Sequence, residues 1–122
     1  MPERAVSRFL LVSATVCVLA CLGAVVVPVA TGASRAFTGS VTTSGLLGLV
    51  FALRNVQLLR SSGEPSLPPA ALTTVFGGWF MLAPLLYSDV GFLPTAGTQL
   101  AGTVVSTFGL YVVVAGLTGG RA

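Results

Sequence analysis

The 122-residue chain contains no lysine and no histidine, and its three acidic residues stand against six arginines. Charged residues make up only 7% of the chain, against roughly 25% in ordinary soluble domains. With 54% hydrophobic residues and a mean hydropathy of +0.97, so few charges cannot keep a short domain dispersed in water. A water-soluble globule is excluded, and the chain belongs in a lipid bilayer.

The missing histidine excludes histidine-ligated haem and HExxH-type protease chemistry. The two cysteines, Cys17 and Cys21, have no other thiol and no imidazole to complete a metal set. Four residues apart, they share one helix face at a spacing that does not suit a disulfide, and they read as small packing residues. The net charge of +3 is not gathered into a basic run with interleaved aromatics, so nucleic acid is not an expected partner. No cofactor is expected.

What the chain does have is long apolar runs. About 20 apolar residues cross a hydrocarbon core roughly 30 Å thick. Four segments qualify: Phe9 to about Ala30, about Thr38 to Leu59, Ala70 to Tyr87, and about Thr98 to Leu117. Only helices or closed barrels satisfy their backbone groups in lipid, and these runs lack a sustained period of two. The expected fold is therefore all-α, a bundle of four transmembrane helices. The β-branched triplets Val25-Val26-Val27 and Val112-Val113-Val114 would favour strands in water, but the length of each run overrides that preference in a bilayer. Turns are expected at Thr31–Arg35, at Arg60–Pro69 including Glu64, and at Ser88–Pro94 including Asp89.

Arg4, Arg8, Arg54, Arg60 and Arg121 fall at one side of these spans and Arg35 at the other, which predicts a cell-membrane protein with both termini in the cytoplasm. Arg54 lies about one turn inside the second span, close enough for its stem to reach the surface. Val18-Leu19-Ala20-Cys21 resembles a lipoprotein cleavage site, but Leu22 to Ala30 stays apolar and the run reads as a span.

The spans contain no Asp, Glu, Lys or His, which argues against a proton-coupled pump and against an enzyme. Ser40, Ser44, Gly48 and Ala52 recur every four residues along the second span, and Thr98, Gly102 and Ser106 along the fourth. Such stripes let helix backbones approach closely in lipid and are expected to pack helices, within the chain or against a partner. A second reading lines a polar conduit with Ser40, Thr43, Ser44, Ser106 and Thr107. Trp79, near the middle of the third span, is expected to act as a wedge whose indole N–H needs an internal acceptor.

The halves also resemble each other. Leu22–Val29 matches Gly78–Leu85, placing Pro28 opposite Pro84, and Gly39–Ser44 matches Gly102–Thr107. This predicts two tandem two-helix repeats, 1–62 and 63–122, both entered from the same side. Each Pro is expected to end or kink its helix, and Leu85 to Thr98 to form an outer cap that the first half lacks. The segment Gly78-Trp79-Phe80-Met81-Leu82-Ala83-Pro84, continuing through Gly102 to Gly116, resembles the SPW-repeat membrane proteins of bacteria and archaea. The family's Ser-Pro-Trp triplet is replaced here by Ala83-Pro84-Leu85 and Val27-Pro28-Val29. The resemblance implies a tandem two-helix membrane unit and brings no activity with it. Two functions follow: a structural or accessory membrane component that associates with itself or a larger complex, or a small channel or transporter for a neutral or weakly polar solute.

Overall fold

The computed structural model describes residues 2–62, 67–87 and 90–119. Glu64, Asp89 and Arg121 lie outside the described residues, as does the Arg4 side chain. Four helices account for the fold: α1 (Pro2–Ala30), α2 (Arg35–Ser62), α3 (Leu67–Leu86) and α4 (Phe92–Gly119). Each contains a stretch long and apolar enough to cross a membrane, from 20 residues in α3 to 27 in α2 and α4. The protein is an all-α, multi-pass membrane bundle.

Sequential neighbours pack side by side, and α4 closes the ring against α1. Every pair of neighbours runs antiparallel. On one seam Thr42 Oγ1 donates to the Val25 carbonyl at 3.1 Å while Gly48 lies against Cys21. Gly97 meets Val27, and further along the same pair of helices Cys17 Sγ donates to the Val105 carbonyl at 3.8 Å. Two apolar clusters fill the interior. The larger, toward the α1–α2 turn, includes Ala24, Phe37, Val41, Phe80 and Val105. The smaller, at the opposite end, holds Leu10, Ala14, Leu59, Ala70 and Val112. Mid-span residues such as Val75 (66% exposed) and Leu100 (67%) face outward, as lipid permits.

Both prolines sit in the last turn of their helix, Pro28 two residues before the end of α1 and Pro84 two before the end of α3. After Pro28 the chain turns through Gly32, whose φ of +69° is a left-handed conformation that a Cβ disfavours. The Gly32 N–H donates to the Val29 carbonyl at 3.4 Å and the Ala33 N–H to the Pro28 carbonyl at 3.0 Å, a Schellman cap. Ser34 then caps α2, its Oγ accepting from the Phe37 N–H at 3.3 Å.

The fourth helix starts earlier than the sequence predicts. Phe92 to Thr98 is helical, so the outer cap expected over Leu85 to Thr98 is not formed. Pro94 is the third helical residue, where its missing N–H would have had no intrahelical partner. Pro68 and Pro69 occupy the equivalent first turn of α3.

Buried positions recur with a fixed interval. Ala14, Cys17, Cys21, Ala24 and Pro28 of α1 correspond to Ala70, Thr73, Gly77, Phe80 and Pro84 of α3, each 56 residues later. Phe37, Val41, Gly45, Gly48, Ala52 and Asn55 of α2 correspond to Pro94, Thr98, Gly102, Val105, Gly109 and Val112 of α4, each 57 later. The sequence match of Leu22–Val29 with Gly78–Leu85 has the same interval of 56 residues. The match of Gly39–Ser44 with Gly102–Thr107 has an interval of 63 residues, whereas the recurrence of buried positions sets Gly102 beside Gly45. Matching Ser and Thr residues favours the Gly39 register, whereas burial follows the line along which the backbones meet.

Candidate functional site

The positions with the least freedom are the glycines where helices meet. Gly77 of α3 and Gly102 of α4 face each other so closely that a Cβ on Gly102 would lie 2.7 Å from the Gly77 carbonyl oxygen and 2.8 Å from the Met81 nitrogen. A Cβ on Gly77 would lie 2.7 Å from the Ser106 nitrogen. One turn beyond Ser106, Gly109 abuts Thr74 Oγ1, at 2.6 Å from its would-be Cβ. Small residues on both helices thus bring the backbones into contact, the arrangement that lets dispersion replace the missing hydrophobic force in lipid. Gln99 Nε2 donates to the Met81 carbonyl at 3.2 Å and Ser106 Oγ to Met81 Sδ at 3.7 Å across this seam, whereas Thr74 Oγ1 donates within its own helix to the Ala70 carbonyl.

The α1–α2 seam is built the same way. A Cβ on Gly45 would lie 2.8 Å from Val25 Cγ2 and 3.4 Å from the Cys21 carbonyl oxygen. Gly48 is tight against two neighbours, with Cys21 Sγ and Phe76 Cβ each 3.3 Å from the Cβ position, and so lies where α1, α2 and α3 meet.

The candidate stripe on α2 divides accordingly. Gly48 and Ala52 are buried, while Ser40 and Ser44 are half-buried on the flank of a line that runs through Val41 and Gly45. Gly102 is buried and Ser106 half-buried in the α3–α4 seam. Pro28 and Pro84 are both buried at the same end of the bundle. Trp79 is half-buried and packs on the larger apolar cluster, but its Nε1 has no acceptor among the described residues. Cys17 and Cys21 are buried free thiols.

Sequence reasoning missed Gly45, Gly77 and Gly109. The seven-residue interval from Gly102 to Gly109, two helical turns, is the signal that would have pointed to that seam. It also missed the buried Ser13 and Asn55, whose Oγ and Oδ1 lack partners among the described residues.

The proposed conduit residues do not face one another. Thr43 and Thr107 are exposed on the outside of the bundle, and Ser106 is engaged with α3. The interior of the bundle holds Phe37, Val41, Phe80 and Val105 in one apolar cluster and Val112 in the other, all fully buried. No group of three or more His, Cys, Asp or Glu side chains that could hold a metal ion is present among the described residues. No protein-family model matches the chain, and neither a curated protein nor a solved structure matches it significantly.

Proposed function

We propose that the chain is a structural or accessory component of the cell membrane, acting by association with further copies of itself or with a larger membrane complex. The observation that carries this reading is the apolar interior: Phe37, Val41, Phe80, Val105 and Val112 are fully buried in it. Affinity purification from native membranes is expected to recover a stoichiometric membrane partner or a homo-oligomer. Liposomes containing the purified protein are expected to release glycerol or urea no faster than protein-free vesicles. Protein-dependent release would overturn the reading in favour of a channel for neutral solutes.

In this reading both termini face the cytoplasm, supported by Arg4, Arg8, Arg54, Arg60 and Arg121 on one side against Arg35 on the other. A reporter fused after Ala122 is expected to give a cytoplasmic signal, and one inserted beside Asp89 an external one. A cytoplasmic signal at Asp89 would sink this topology.

The same reading treats 1–62 and 63–122 as tandem two-helix repeats, the plan that the resemblance to SPW-repeat proteins implies. The intervals of 56 and 57 residues between equivalent buried positions support it. So do the equal lengths of α2 and α4, 28 residues each. A parallel repeat of this kind is related by an axis along the membrane normal.

A further inference from the structure

Three of the four described charged side chains lie toward one end of the bundle, where α1 begins and α2 ends. Arg54, Gln57 and Arg60 are exposed on α2. At three-residue intervals on a helix such side chains follow one another along one side, about 4.5 Å apart along the axis. Just deeper in the membrane the exposed surface of α2 turns apolar at Leu53 and Val50. Arg8 of α1, also exposed, reaches the same depth as Arg60. The antiparallel register that sets Gly48 against Cys21 sets Arg60, twelve residues on, against Phe9.

We infer that this strip binds the headgroup of an anionic phospholipid, with the acyl chains lying along Leu53 and Val50. A guanidinium at the edge of the hydrocarbon is strongly favoured to find an anion there, because its own hydration is incomplete. The planar fork of Arg54 matches a phosphodiester bidentately, and Arg60 adds a second cation at headgroup depth. Gln57, between them, offers an amide to the glycerol or ester oxygens. A zwitterionic lipid brings its own ammonium into the same space and gains less.

The test is thermal unfolding in neutral detergent with added phosphatidylglycerol, phosphatidylcholine or inorganic phosphate, with native mass spectrometry counting bound lipid. Phosphatidylglycerol is expected to raise the unfolding temperature and to remain bound, and the other two to do neither. Arg54→Gln and Arg60→Gln are each expected to weaken the phosphatidylglycerol effect about fivefold. Arg54→Lys, which keeps the charge and loses the fork, is expected to fall between Arg54→Gln and the wild type, and Arg35→Gln, at the other end, to change nothing. Equal stabilisation by phosphatidylcholine, an effect of phosphate alone, or an Arg35→Gln loss as large as that of Arg54→Gln would overturn the inference.

Discussion

Alanine at Gly102 or Gly77 is expected to destabilise the bundle by roughly 1 to 3 kcal/mol, the usual cost of forcing extra atoms into a packed interior. The added methyl meets backbone in both cases: the Gly77 carbonyl oxygen and Met81 nitrogen for Gly102, and the Ser106 nitrogen for Gly77. Backbone cannot swing aside as the end of a side chain can, so relief requires α3 and α4 to separate along their whole seam. Gly78 supplies the control, since a Cβ there meets nothing within 4 Å. Gly78→Ala is expected to be neutral or slightly stabilising, because alanine favours the helix. Gly48→Leu is expected to cost about as much as Gly102→Ala, its bulk pressing on both Cys21 and Phe76. Denaturant titration in detergent would measure all four. If Gly77→Ala and Gly78→Ala unfolded alike, the close backbone approach between α3 and α4 would be rejected.

Phe80→Ala is expected to cost about 3 kcal/mol, the low end of the range for emptying a buried phenylalanine site. Phe80 is fully buried in the larger apolar cluster, among Ala24, Phe37 and Val105. The low end applies because the unfolded chain in a membrane also sits among hydrocarbon, so the transfer contribution is small and the lost dispersion contacts dominate. Phe92→Ala, at a residue 81% exposed, should change stability by less than about 0.5 kcal/mol. Equal unfolding midpoints for the two variants would show that the bundle interior is not packed as described.

The number of helices, their all-α character and the turn at Thr31–Ser34 are legible in the sequence because bilayer thickness and backbone satisfaction leave few alternatives. Which side of each helix is buried is much harder to read. In water a polar stripe marks the outside, but here Val75 and Leu100 are as apolar outside as Val41 and Val105 are within. The glycines alone separate the faces, and only where their spacing is regular. Gly48 and Gly102 were therefore recognisable from four-residue stripes, whereas Gly77, beside the lipid-facing Gly78, could not be told from its neighbour. The start of α4 was hidden for another reason. Pro94 breaks a helix anywhere but in its first turn, and sequence alone does not reveal that Phe92 is where that turn begins.

The larger apolar cluster holds both Ala24 of α1 and Phe80 of α3, which stand at equivalent places in the proposed tandem-repeat reading. A ring of two first halves would bring two alanines to that level and leave a hole. A ring of two second halves would bring two phenylalanines into space sized for one. In that reading small fits large only when one half of each kind is present, so the core would discriminate between partners as a key discriminates between locks. On the same reading, joining the halves in a single chain guarantees the correct pairing in every copy and at every concentration.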